Sequence, residues 1–230
     1  MELREKIKRT SALLDKEYGK KVLRPSGDPL SVLIGTILSQ NTSDHNSHKA
    51  FRNLLATFKN WEKVRKAPLS KIEKEIKHGG LAKIKAKRIK NILNQIYKDN
   101  SKTDLSFLRK FRTEEAIDYL NRFKGVGEKT IACVLLFALG RPVIPVDTHV
   151  LRLSKRLGLL PKKIDSKKAH EILQKAVPQN LVYSYHLNLI THGRKICKAQ
   201  NPRCGECVLF DLCETQEKID FIKKGEVCYV

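Results

Sequence analysis

Four cysteines, one lysine and one aspartate carry the clearest chemistry in this chain. Cys197, Cys204, Cys207 and Cys213 are separated by six, two and five residues. Four thiolates so close in sequence can close on one metal centre, either tetrahedral zinc or an iron–sulfur cluster. Two disulfides compressed into the same segment do not suit a reducing compartment. Lys195, Lys198 and Arg203 surround the cysteines and suggest a loop that touches a phosphate backbone. Cys133 and Cys228 stand apart from the group.

The stretch from Phe123 to Asp147 holds the other candidates. Gly125 and Gly127 bracket Val126, and both permit positive φ and close approach by another backbone. A helix opening at Gly127 would direct unpaired N–H groups and a positive dipole end at a phosphate. The same pattern also serves as an ordinary helix–helix turn. Lys129 would lie in the first turn of that helix. Asp147 precedes Thr148-His149-Val150 and reads as the N-cap of the next helix.

These residues belong to a folded, strongly basic chain. Its 230 residues, 41% of them hydrophobic, suffice for one large or two small domains. The net charge of +22, from 46 basic and 24 acidic residues, points to a polyanion, with nucleic acid ahead of an anionic membrane. The longest apolar runs, Ala132 to Gly140 and Ser31 to Leu38, fall far short of a membrane span of about 20 residues. The start has no signal-peptide core, so an intracellular protein is expected, cytoplasmic or with the nucleoid, nuclear if the source is eukaryotic. A monomer is the expected state.

The elements that would position the chemistry read as helices. Apolar residues at helical spacing predict helices from Glu2 to Tyr18, at about 45–58 and 69–77, and from Leu81 along a stripe of Ile89, Ile92, Leu93 and Ile96. Pro29 opens a buried helix over Leu30 to Leu38, followed by the polar run Gln40, Asn41, Thr42, Ser43 and Asp44. Lys83, Lys85, Lys87, Arg88 and Lys90 form either a solvated face or phosphate contacts. Thr113 is a candidate N-cap, so 114–122 and 127–139 make a helix-hairpin-helix. Further helices are expected at 148–157, 166–176 and 181–196. Val143 to Val146 is too short and proline-rich for a strand, so the chain reads as all-α. Residues after Glu214 form a short charged tail.

Taken together, Gly125-Val126-Gly127-Glu128-Lys129-Thr130, Val146-Asp147-Thr148-His149, and His192-Gly193-Arg194 leading into the cysteines resemble the endonuclease III family of DNA repair glycosylases. The resemblance covers roughly residues 25–214. It implies a two-lobed all-α fold: a six-helix barrel over residues 22–141 holding the helix-hairpin-helix, a cluster lobe of residues 1–21 plus 142–214, and a tail over 215–230. It implies a catalytic lysine at Lys129, a catalytic aspartate at Asp147, and a 4Fe-4S cluster on Cys197, Cys204, Cys207 and Cys213. The implied partner is double-stranded DNA with a damaged base or abasic site, met by Gln40, Asn41, Leu81, Lys124, Gly125, Val126, Gly127, Thr130 and His149.

The implied reaction is base excision repair by a bifunctional N-glycosylase and AP lyase acting on oxidised pyrimidines. The amine attacks the sugar C1′, expels the base and forms a Schiff base that permits β-elimination, after the target nucleotide has left the stack. Leu81, after Gly79-Gly80, resembles the apolar wedge that enters the opposite strand. The chain departs from the family pattern at two places. Lys124 stands where proline is common before the first hairpin glycine. Asn41 occupies the position of a glutamine, with Gln40 just before it, which leaves open which side chain fills the gap of a flipped nucleotide. Other helix-hairpin-helix substrates, namely alkylated bases, mismatched thymine or 8-oxoguanine, form one alternative, and a non-catalytic DNA-binding module with a structural metal is another.

Overall fold

The computed structural model describes residues 1–25 and 27–223. Cys228 and the end of the charged tail lie outside them. Among the described residues every regular element is helical. The chain forms two compact units, Pro25–Arg141 and Met1–Arg24 together with the chain from Pro142 onward.

In the unit Pro25–Arg141, helix α2 (Pro29–Ser39) is the central element. Leu30, Leu33, Ile34, Ile37 and Leu38 are fully buried. Asp28 caps its start, accepting from the N–H groups of Leu30 and Ser31, and takes a further bond from Trp61 Nε1 at 3.1 Å. Around it pack α3 (Asp44–Phe58), α6 (Ala82–Asn100) and α8 (Glu128–Cys133). Two shorter helices, α4 (Trp61–Lys66) and α5 (Leu69–Ile76), lead to a 3₁₀ turn at Lys77–Gly79. The periodicity misses helix α4, which is only six residues long.

Helix α7 (Thr113–Asn121) begins one residue earlier than its apparent cap suggests. Arg112 is the boundary residue, and its N–H is accepted by Glu115 Oε2 at 2.7 Å, half of a capping box. Phe107, Phe111, Tyr119 and Phe123 meet edge to face beneath the turn that follows. Helix α8 passes into a π turn over Val134–Ala138, where the wider ladder ends with Leu139 N–H on Val134 O.

In the other unit, α1 (Leu3–Tyr18) and α9 (Thr148–Arg156) both pack on α11 (Val182–Lys195), with α10 (Ser166–Ala176) against α1. Buried Ile7, Leu14, Leu153 and Leu189 supply the core. Asp15 Oδ1 accepts from Ser184 Oγ at 2.6 Å and Asn188 Nδ2 at 2.8 Å, a polar tie between α1 and α11. The tail begins as α12 (Gln216–Lys223). The segment before Asp147 is extended but pairs with side chains instead of a strand. Gln174 accepts from Ile144 N–H at 2.9 Å and donates to Pro142 O at 3.0 Å, and His170 Nε2 accepts from Val146 N–H at 3.0 Å. No helix among the described residues is long and apolar enough to cross a membrane.

Candidate functional site

The hairpin turn between α7 and α8 is closed by Val126 N–H on Phe123 O at 3.0 Å, with both side chains buried. Its two glycines are needed for different reasons. Gly125 has φ +83°, and a Cβ there would stand 2.2 Å from Arg88 Nε. Gly127 has φ −106°, in the ordinary extended region, and a Cβ there would meet nothing within 4 Å. Positive φ is therefore confined to Gly125, while Gly127 leaves its outer side open. Gly127 is the N-cap of α8, one residue before the helix proper, and Thr130, itself buried, donates its N–H to Gly127 O at 2.9 Å. The first amides of α8 have no intrahelical acceptor. Lys124 is exposed on the turn, and Lys129 is half-buried in the first turn of α8.

A side-chain network lies against the inner side of the turn. Arg88 Nη1 donates to Gln40 Oε1 at 2.6 Å and to Gly125 O at 3.4 Å. Gln40 Nε2 reaches Gly125 O and Thr130 Oγ1, both at 3.4 Å. Gln40 is thus engaged with the protein. Its neighbour Asn41 is exposed, at φ +52°. Leu81 is 51% exposed at φ +50°, an apolar side chain held out into solvent by a left-handed backbone. Lys85 corrects the expectation of a charged outer face on α6: it is 2% exposed, and its Nζ donates to Leu38 O and Gly79 O at 2.7 Å each. Burial pushes its pKa down, and nearby Arg88 adds to the shift. Its helical register with Ile89, Ile92 and Ile96 was the signal in the sequence that placed it inward.

In the unit containing α9, Asp147 is the N-cap, with Oδ1 accepting from Val150 N–H at 2.8 Å. His149, half-buried, contacts Arg152 Nη2 at 3.1 Å, and burial lowers its pKa. Gly193 admits this contact, since a Cβ there would lie 2.8 Å from His149 Nδ1. Arg152 also donates to Gly193 O at 2.9 Å and to Cys197 O at 2.8 Å, linking α9 to the start of the cysteine loop.

Cys197, Cys204, Cys207 and Cys213 wall one cavity with Arg156, Ile196 and Phe210. Among the described residues no three potential ligands converge tightly enough to hold a single ion. Four thiols lining one space are the donor set that an iron–sulfur core takes. Burial, reinforced by the neighbouring cysteines, raises the pKa of Cys204, Cys207 and Cys213, that of Cys207 to about 12. Such a site resists ionisation until a cationic centre is present, and a cationic metal core reverses that preference.

Donors already surround the sulfurs. Arg156 Nη1 lies 3.3 Å from Cys197 Sγ and 2.6 Å from Lys198 O. His192 is buried, and burial lowers its pKa to about 4, so it is neutral. Its Nδ1 lies 2.9 Å from Tyr18 Oη and its Nε2 3.3 Å from Cys207 Sγ. These supporting residues, Tyr18, Arg156 and His192, are not legible from cysteine spacing.

Comparison with known proteins agrees with this geometry. Residues 34–179 match the HhH-GPD superfamily base excision DNA repair protein model, and residues 197–213 match the iron–sulfur binding domain of endonuclease III. Endonuclease III of Thermotoga maritima is 34% identical over 87% of this chain and 88% of its own length. The chain belongs to the endonuclease III family. That family comprises DNA glycosylases and AP lyases of base excision repair, and its cofactor, a 4Fe-4S cluster, is the cofactor here.

A protein of Arabidopsis thaliana provisionally named as a DNA glycosylase is 44% identical over 73% of this chain, which spans 57% of that protein's length. Two solved structures are 28% identical. A non-covalent endonuclease III–DNA complex has a TM-score of 0.81, covering 97% of this chain and 100% of that one. A trapped endonuclease III–DNA covalent intermediate has 0.80, covering 96% and 100%.

Proposed function

We propose that the chain excises oxidised pyrimidines from double-stranded DNA, with Lys129 as the nucleophile and Asp147 as the catalytic aspartate. The observation that carries this reading is the hairpin itself. It offers an open glycine at Gly127, unpaired amides at the head of α8, and an amine in the first turn. The amides hold a phosphate without reading sequence. Gly125, Val126, Lys124 and Thr130 shape or flank this grip, and His149 lines the DNA side of α9.

Lys129 Nζ attacks C1′ of the flipped nucleotide. The glycosidic C–N bond breaks and the base leaves with its electron pair. Loss of a proton from the resulting adduct and opening of the sugar give a Schiff base. Removal of a C2′ proton then breaks the C3′–O bond by β-elimination. The Asp147 carboxylate stabilises positive charge developing on the sugar or serves as a base. Its cap uses Oδ1, which is compatible with a catalytic role for the second oxygen. Asn41, exposed and left-handed, fills the gap left by the flipped nucleotide, and Leu81 wedges into the opposite strand. Gln40, tied to Arg88 and the hairpin, supports the turn instead.

Cys197, Cys204, Cys207 and Cys213 would hold the 4Fe-4S cluster, whose cationic core would offset part of the charge of the four thiolates. The protein works where chromosomal DNA is, in the nucleoid or nucleus. Borohydride trapping on thymine-glycol DNA tests the reading. Wild type is expected to give a covalent complex and Lys129→Gln none, with DNA binding retained. Undiminished trapping in Lys129→Gln would remove the lysine from its role. Trapping instead on 8-oxoguanine or mismatched thymine, across a panel of defined lesions, would remove the oxidised-pyrimidine preference.

A further inference from the structure

We propose that Lys85 is a positioning residue, whose buried ammonium locks together the two loops that carry Asn41 and Leu81. The inference rests on the reading of those two side chains as the ones that enter the DNA.

Lys85 is 2% exposed, and its acceptors are two backbone carbonyls, Leu38 O and Gly79 O, at 2.7 Å each. Leu38 lies in the last turn of α2, and Gly79 ends the 3₁₀ turn after α5. Carbonyls at helix ends lack intrahelical donors and attract a cation. An ammonium has three N–H groups on one atom and can serve both ends at once. Burying a charge in this way costs several kcal/mol unless it is well bonded. An apolar side chain would fill the same space without that penalty, so the lysine is there for what it ties.

What it ties are two chains about to turn. Asn41 follows Leu38 by three residues at φ +52°, and Leu81 follows Gly79 by two at φ +50°. Left-handed backbone at a residue with a side chain is strained and persists only where the surroundings impose it. The loops run side by side: a Cβ on Gly79 would stand 4.0 Å from Leu38 O, and one on Gly80 would stand 3.9 Å from Asn41 O. Lys85 pins the last regular carbonyl region of each loop, so the two left-handed residues are presented as one rigid pair.

The test compares Lys85→Met, Asn41→Ala and Leu81→Ala in the holoenzyme on two substrates. One is a duplex carrying thymine glycol opposite 2-aminopurine, and the other is a single strand with a preformed abasic site, which needs no gap filling. Lys85→Met is expected to lower duplex excision by about tenfold to a hundredfold and to abolish the fluorescence rise of 2-aminopurine on binding. Trapping on the single strand should stay within about twofold. Combined with Asn41→Ala and Leu81→Ala, it should add little further loss.

Equal losses on both substrates, or full duplex activity with only a lower Tm, would overturn the inference. If Asn41→Ala and Leu81→Ala themselves behave as wild type on the duplex, the reading of those residues fails. If they are impaired while Lys85→Met is not, the inference alone fails. Should Lys85→Met give no cooperative melt, Lys85→Arg, a cation of different shape, is measured in its place against the same outcomes.

Discussion

The hairpin and the cysteine loop solve the same problem, holding reactive groups still, by opposite means. The hairpin is complete from the chain alone: Gly125 takes its left-handed bend, Arg88 and Gln40 bond its carbonyl, and Thr130 closes the first turn of α8. The cysteine loop is arranged around a group that the chain does not supply. Burial raises the pKa of Cys207 and Cys213, and Arg156 and His192 already contact sulfur. Preorganisation by backbone conformation tolerates no added Cβ at Gly125, whereas preorganisation around a cofactor tolerates no lost ligand.

That contrast can be broken most forcefully at Cys207, the most buried of the four thiols. Cys207→Ser is expected to lose iron and the visible absorbance of the cluster and to lower stability by about 2–5 kcal/mol, comparable to loss of a structural disulfide. Iron analysis and a thermal melt check it. Asp147→Asn should lower base excision by about 10²- to 10⁴-fold in single-turnover kinetics, with little change in Tm, because asparagine also caps helices. A near wild-type rate would leave Asp147 as a cap only.

The two hairpin glycines sharpen the comparison further. Gly125→Ala is expected to destabilise by about 1–3 kcal/mol, seen in the urea midpoint, since it meets both positive φ and Arg88. Gly127→Ala should leave stability within about 0.5 kcal/mol yet weaken DNA binding in a salt-dependent titration. The smallest effect lies away from both regions. Arg65, then Thr103, holds the Glu62 carboxyl down from 4.5 to about 2. Its contribution is therefore full above about pH 4.5 and lost as pH falls through about 2. Side-chain exposure of 35% limits it to about 0.2–1 kcal/mol. Glu62→Gln should flatten that part of the stability–pH curve.

Helices were legible wherever an apolar stripe persisted for two turns or more. The periodicity placed α3 at 45–58 and α10 at 166–176, against Asp44–Phe58 and Ser166–Ala176 in the structure. The six residues of α4 are too few for a period to declare itself. Asp147 was legible as a cap because the bond is local, from an aspartate to an N–H three residues on. The engagement of Gln40 was not, because its partner Arg88 lies 48 residues away. Lys85 misled for a different reason: lysines cluster around it, and composition outweighed a register that already put it among the isoleucines. The π turn after α8 likewise leaves no mark in an apolar run such as Val134–Ala138.

The extended segment before Asp147 has one more consequence. A glutamine amide offers an N–H donor and a carbonyl acceptor, as a peptide unit does. At Pro142 and Ile144 Gln174 takes the place that a neighbouring strand would fill in a sheet. Because alternate residues of an extended chain point to opposite sides, a slip of one position would turn Asp147 away from wherever it now faces. Gln174 and His170 on α10 therefore act as a register stop, and a proposed catalytic carboxylate owes its aim to a one-residue substitute for a β-sheet.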